Sequence, residues 1–246
     1  MASIPRAIPA HRTAFVTGRN SSLDRYFYFT MSLLMAAIVV WGFSHTVDQN
    51  LLHPAIPRPL ILWFHAAAFS LWVVFFISQS ALVRTRNVKW HRFFGWFGAG
   101  LGTIMVPLGI TTAVVMARFE TYQLHETRRA LFLSVPFYDV AAFAVLFGLA
   151  VLWRRKPEFH RRLIFIATCC LLAAAFGRMS YFGLYFYVGV DALILLGVAR
   201  DLLVNRRIHK AYLVALPVMI VCQSFVVYTF LSGPAWWARI AQAIVG

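Results

Sequence analysis

Seven apolar runs, each about 20 residues or longer and bounded by charge or proline, divide the chain: residues 27–47, 60–83, 93–117, 131–153, 160–179, 184–204 and 211–232. At ~1.5 Å per residue each is long enough to cross roughly 30 Å of hydrocarbon as an α-helix. None shows the alternating ten-residue pattern of a barrel strand. The pattern predicts an all-α, polytopic integral membrane protein, a bundle of seven transmembrane helices. Residues 1–26 are read as a cytoplasmic N-terminal segment, 27–232 as the transmembrane domain and 233–246 as a periplasmic tail. Gly177, Ser180, Gly183 and Gly189 crowd the fifth and sixth runs and predict a tight hairpin there. The first run lacks a small-residue cleavage site, so it reads as a retained helix and not a removed signal.

Composition agrees with lipid as the solvent. The 246 residues are 61% hydrophobic and 13% charged, more apolar surface than one soluble core of that size can bury. A net charge of +15 would point to nucleic acid in a soluble protein. Here the basic residues fall in short loops, so no nucleic-acid partner is expected and the bilayer is the expected one. Seventeen lie on one side: Arg6, Arg12, Arg19, Arg25, Arg84, Arg86, Lys89, Arg92, Arg154, Arg155, Lys156, Arg161, Arg162, Arg200, Arg206, Arg207 and Lys210. The other side carries five (Arg58, Arg118, Arg128, Arg129 and Arg239), and Arg178 falls within a run. The positive-inside rule then places the N-terminus in the cytoplasm and the C-terminus in the periplasm of a bacterial inner membrane. Cys169, Cys170 and Cys222 all sit inside apolar runs and read as small buried hydrophobes.

Ionisable groups inside a span cost roughly 2.5–3.5 kcal/mol on insertion scales, so they turn inward and find partners. His65, Asp139, Arg178 and Asp191 all fall in the outer half. A shared pocket is expected, with Arg178 pairing with Asp139 or Asp191, and with His65, Asp139 and Asp191 as candidate metal ligands. Thr111, Thr112 and Tyr228 lie at similar depth. The plainer alternative is an ion pair that pins helix packing. On the inner side, Trp90-His91-Arg92, Phe159-His160-Arg161 and Ile208-His209-Lys210 repeat an apolar residue, a histidine and a cation where the third, fifth and seventh helices begin. A helix N-terminus disfavours added positive charge, which leaves imidazole in the neutral form that ligates metal. His91, His160 and His209, with Asp201 as a fourth member or a ring-orienting group, are therefore the candidate cofactor-binding set, for haem b or a transition metal. Topology alone would also gather such residues at helix ends. No His-x-x-x-His, Glu-x-x-His or Cys-x-x-Cys pair occurs, so any metal site is built from separate helices. His45, Asp48 and His53, with His125 and Glu126, read as solvated loop positions able to hold a cation weakly.

The run Arg154-Arg155-Lys156-Pro157-Glu158-Phe159-His160-Arg161-Arg162-Leu163, the His91-Arg92-Phe93-Phe94-Gly95 helix start, the His65 to Gln79 helix and the Asp201 to His209 stretch resemble a group of uncharacterised multi-pass bacterial inner-membrane proteins, from about Leu51 to about Trp237. That resemblance implies the topology and no activity. A looser similarity is to membrane b-type cytochromes, whose haem histidines stack in pairs at two depths; here His65 has no histidine at its own level. Three functions stay open: a redox, metal or haem-associated membrane protein; a small-solute or proton-coupled transporter; and an accessory or assembly subunit of a membrane complex. With no phosphate-binding glycine loop, nucleophile elbow or dinucleotide fingerprint, soluble-type catalysis has no support in the sequence.

Overall fold

The computed structural model describes residues 21–126 and 128–246, so most of the expected N-terminal segment, with Arg6, Arg12 and Arg19, lies outside the described residues. The helices are α1 (Ser21–Ser44), α2 (Ile61–Arg84), α3 (Val88–Gln123), α4 (Arg129–Phe132), α5 (Ser134–Leu152), α6 (Pro157–Cys170), α7 (Ala173–Phe176), α8 (Phe186–Asn205), α9 (Lys210–Ser232) and α10 (Ala235–Val245). No strand occurs among the described residues. Among the described residues six segments are long and apolar enough to cross a membrane: Ser22–Ser44, Ile61–Arg84, Val88–Gln123, Arg129–Leu152, Pro157–Phe176 and Lys210–Ser232. The sixth sequence run, which corresponds to α8, is not among them. It carries Asp191, Arg200 and Asp201, and these charges set it apart from the rest.

Local chemistry explains most boundaries. Pro157 opens α6, where its missing N–H costs nothing. Gly233, at φ 55°, takes the left-handed conformation that ends α9. Arg206 ends α8 in the same way at φ 56°, and the expected hairpin between the fifth and sixth runs is a short turn through a 3₁₀ step at Gly183–Tyr185. The fifth run itself is divided. Leu171 N–H bonds to Thr168 O and Leu172 N–H to Cys169 O, three residues back instead of four, so α6 tightens before α7 resumes.

Chain direction alternates, which collects the starts of α1, α3, α6 and α9 and the ends of α2, α5 and α8 at one arginine-rich end. α6 and α7 form the axis. The apolar stretch of Pro157–Phe176 is 67% buried, against 11% for that of α2. Phe165, Ile166, Ala167 and Cys169 have no exposed surface at all, which covers every face of α6. It packs against α5, α8 and α9, while α7 packs against α1 and α8; α2 lies outside, between α1 and α3. The outward positions are large and apolar, among them Val40, Phe64, Trp96, Ile104, Val145 and Val221.

The segment after α9 is helical. α10 folds back on α3 and α4. Trp237 is buried there, with its indole N–H donating to Leu131 O at 2.9 Å. Arg118 reaches Ile244 O through Nη2 at 2.7 Å, so a cation satisfies a carbonyl near the end of α10.

Candidate functional site

Two polar layers lie inside the bundle. In the half away from the arginine-rich end, Asp139 on α5 accepts a hydrogen bond from the Tyr187 hydroxyl of α8 at 2.9 Å. Tyr187 is buried, and the Tyr138 ring meets it edge-on at 5.8 Å. The Tyr138 hydroxyl donates to Met219 O at 3.4 Å. Asp191 on α8 accepts from Gln223 Nε2 of α9 at 3.1 Å. Asp139 and Asp191 stand on α5 and α8, which both pack against α6 of the central pair.

The expected arginine is elsewhere. Arg178 donates to Ala174 O and lies over the Phe43 ring at 4.3 Å, with Glu120 and Arg129 as its charged neighbours. Among the described residues neither Asp139 nor Asp191 has a cation within ion-pair distance; their partners are a phenol and an amide. His65 stacks on Phe69 at 4.1 Å and its Nδ1 is buried without a partner. Tyr228 points outward and Thr112 inward. The cysteines match expectation in part: Cys169 and Cys170 are buried and Cys222 is half-buried, all as free thiols.

The second layer, at the arginine-rich end, is an ion network. Asp201 on α8 has 0% exposure and accepts four kinds of donor. Arg162 of α6 forks onto it, Nε to Oδ2 at 2.8 Å and Nη2 to Oδ1 at 2.6 Å. Arg200 Nη1 adds a bond to Oδ1 at 2.7 Å, Asn205 Nδ2 one at 3.2 Å, and the His209 backbone N–H one to Oδ2 at 3.2 Å. Arg162 Nη1 also holds the Glu158 carboxylate at 2.7 Å, and Arg161 shares that carboxylate at 2.7 Å. Arg200 and Arg161 both reach Asp24 of α1. Three guanidiniums thus face three carboxylates, Asp24, Glu158 and Asp201, and tie α1, α6, α8 and the start of α9 together. Bidentate guanidinium–carboxylate geometry is what makes so deep a pair tolerable.

The sequence-predicted cofactor set is therefore brought together only in part. The His91 and His160 rings lie 6.3 Å apart at 71°. His160 Nδ1 donates to Ala150 O at 2.8 Å, which leaves Nε2 as the ring nitrogen turned towards other partners. His209 packs edge-on against Phe159 at 4.5 Å, and its Nδ1 accepts the Ala211 N–H at 3.1 Å as the N-cap of α9. Asp201 is occupied by arginines and does not orient a ring. Among the described residues no group of three or more His, Cys, Asp or Glu side chains is placed to hold a metal, which applies equally to His65, Asp139 and Asp191. In the first loop His53 Nδ1 meets Asp48 at 2.7 Å, both exposed.

Burial holds the His209 ring below its ordinary value, and the nearby Arg162 charge adds to this. Protonation would also remove the acceptor that caps α9. The unfolded chain therefore takes up this proton first, and the stability the neutral ring supplies is present above about pH 6.5 and lost as pH falls below it. His209→Asn keeps a cap acceptor but cannot titrate. The expected result is a shallower loss of thermal stability between pH 7 and 5 than in the parent, read by unfolding in detergent.

Sequence reasoning missed Arg162 as a structural partner because it stands in a run of topological arginines. The Glu158-to-Arg162 spacing of four was a readable signal. Tyr187 and Gln223 carried none, since both look like ordinary helix residues until α5, α8 and α9 are assembled. No family model, curated protein or solved structure matches the chain.

Proposed function

We propose that the chain is a seven-helix bacterial inner-membrane protein, N-terminus cytoplasmic and C-terminus periplasmic, in which Asp139 and Asp191 form the protonatable site of a proton-coupled small-solute transporter. Counting α8 as the seventh span is supported by where its charges go: Arg200 and Asp201 are buried against partners and leave only apolar side chains outward. Its 20 residues span about 30 Å. Orientation follows from keeping the arginine-rich end in the cytosol.

The observation that carries the function is that two interior carboxylates, on separate helices, lack a cation among the described residues. An ionised carboxylate in that setting needs a counter-charge, and a bound proton or cation supplies one. A carboxylate present only to pin packing would be expected to resemble Asp201, which is fully paired. The shortened helical turn of the central helix, against which α5 and α8 pack, adds a place where it can change its winding. Asp139→Asn and Asp191→Asn remove the exchangeable proton while keeping size and hydrogen bonding. Each is expected to lower proton movement in proteoliposomes at least tenfold with little loss of folded protein. Unchanged flux in both variants discards the reading.

A second reading has one specific support, the approach of His91 to His160 with Nε2 of His160 free to ligate. A haem or transition metal between these two rings would need further ligands from outside the residues predicted for it. Purified protein that is colourless and free of stoichiometric metal removes that reading.

A further inference from the structure

The end of the bundle away from the arginine-rich layer holds a pocket of about 170 Å³, lined by Glu126, Arg128, Arg129, Phe132 and Phe230. Its floor is aromatic, since the Phe132 and Phe230 rings meet edge-on at 5.2 Å. Its rim is cationic. Arg129 donates from Nε to Glu126 at 2.7 Å, and the same nitrogen lies 3.4 Å from Glu120. Neither Nη nitrogen of Arg129 donates a hydrogen bond among the described residues. The Arg128 side chain is exposed and has neither a carboxylate at ion-pair distance nor a hydrogen-bond partner among them. Arg58 and Arg178 stand within electrostatic range of Glu120. Four guanidiniums thus surround two carboxylates here, whereas the arginine-rich end matches three with three.

A guanidinium edge with no partner presents two parallel N–H donors at the spacing of a carboxylate's oxygens. The surplus of positive charge draws an anion to the rim, and the aromatic floor favours one with an apolar body. The volume falls below the roughly 300 Å³ at which pockets for drug-sized ligands begin, so the occupant is small. The pocket is also in line with the two interior carboxylates. On α9, Phe230 lies seven residues from Gln223, the partner of Asp191. On the α4–α5 side, Phe132 lies seven residues ahead of Asp139, and Leu133 between the two helices keeps right-handed helical angles. Seven residues are close to two turns, so each pair shares a face and is separated by about 10 Å along the axis. A bare anion is costly to carry into hydrocarbon, and one accompanied by a proton has no net charge.

We infer that the solute is a small organic monocarboxylate, captured by Arg128 and Arg129 over the Phe132–Phe230 floor and carried together with one proton. This rests on the proton-coupled reading above and names its substrate class. Recognition belongs to the arginine rim and the proton to Asp139 and Asp191. One carboxylate and one proton cross together, so a turnover moves no net charge and takes no oxidant or reductant. Inorganic phosphate offers the rim the same charge but has no apolar body to set on the two rings.

Saturation-transfer NMR on the protein in detergent, with pyruvate as the probe, reads capture separately from transport. The parent is expected to bind pyruvate, and Arg128→Gln, whose side chain has no partner in the fold to lose, is expected to weaken binding at least tenfold. No binding by the parent, unchanged affinity in Arg128→Gln, or inorganic phosphate binding as tightly as pyruvate overturns the proposal. Transport is read as uptake of radiolabelled pyruvate into phosphatidylcholine vesicles with the outside more acidic, against protein-free vesicles. Uptake above that baseline is expected, with Arg128→Gln raising the half-saturating concentration at least tenfold and Asp139→Asn lowering the maximal rate at least tenfold. Binding and uptake that survive in both Asp139→Asn and Asp191→Asn overturn the proton coupling and leave the capture site. Proton movement that is lost in those two variants, with no pyruvate bound by the parent, overturns the capture site and leaves the proton-coupled reading standing.

Discussion

Asp201→Asn is expected to cost about 3–5 kcal/mol of stability, the range for removing one partner of a buried ion pair. Asparagine keeps the shape but leaves Arg162 and Arg200, each 1% exposed, facing a neutral amide. Arg162 then keeps only the half-exposed Glu158 and Arg200 only Asp24, three guanidiniums face two carboxylates, and α6, α8 and the start of α9 lose their common anchor. The measurement is thermal unfolding in detergent. Glu158→Gln is the matched contrast: its carboxylate is 55% exposed and its bonds are solvent-screened, so about 0–1 kcal/mol is expected. Replacing Arg162, Arg200 and Asp201 together by Met, Met and Leu is expected to recover much of the loss, because apolar groups need no counter-charge. If Asp201→Asn is neutral, the network is not what holds these helices.

Gly42→Val is the second large effect. A Cβ at position 42 would lie 2.5 Å from Ala175 O and 2.9 Å from Ala175 Cα, backbone atoms that cannot swing aside. Even alanine forces α1 away from α7, for which about 1–3 kcal/mol is expected, and valine adds two methyl groups to the same contact. Gly148→Ala is the control, because nothing lies within 4 Å of its built Cβ. There the helix gains about 0.5–1 kcal/mol from lost backbone freedom in the unfolded chain. Equal melting temperatures for Gly42→Val and Gly148→Ala would show that α1 does not approach α7 so closely.

Both predictions turn on contacts that could not be read along the chain. Gly42 looks like any small residue in an apolar run, and its importance comes from Ala175, 133 positions away. Arg162 and Asp201 were both visible, the first as a topological arginine and the second as a possible ring partner for histidine. Their pairing needed α6 and α8 side by side. Arg178 shows the reverse error. Depth arithmetic placed it level with the two acidic groups, but depth says nothing of rotation about the helix axis, and the α7 turn directs it to Phe43 instead. The histidines were at one level as expected, yet only His91 and His160 meet, because His209 is held back as the cap of α9.

Hydropathy and the distribution of arginine along the chain determined, without coordinates, that the protein is all-helical, where its long apolar helices run, and which helix ends gather together. Those properties depend on transfer of each segment from water and on charge near its ends, which are local and additive. Which interior charges are paired and which stand without a cation was decided only by the tertiary structure. Pairing depends on the rotation and close approach of separate helices, so that Asp139 and Asp191 meet a phenol and an amide, and no cation among the described residues, emerges only when α5, α8 and α9 are packed around the central helix.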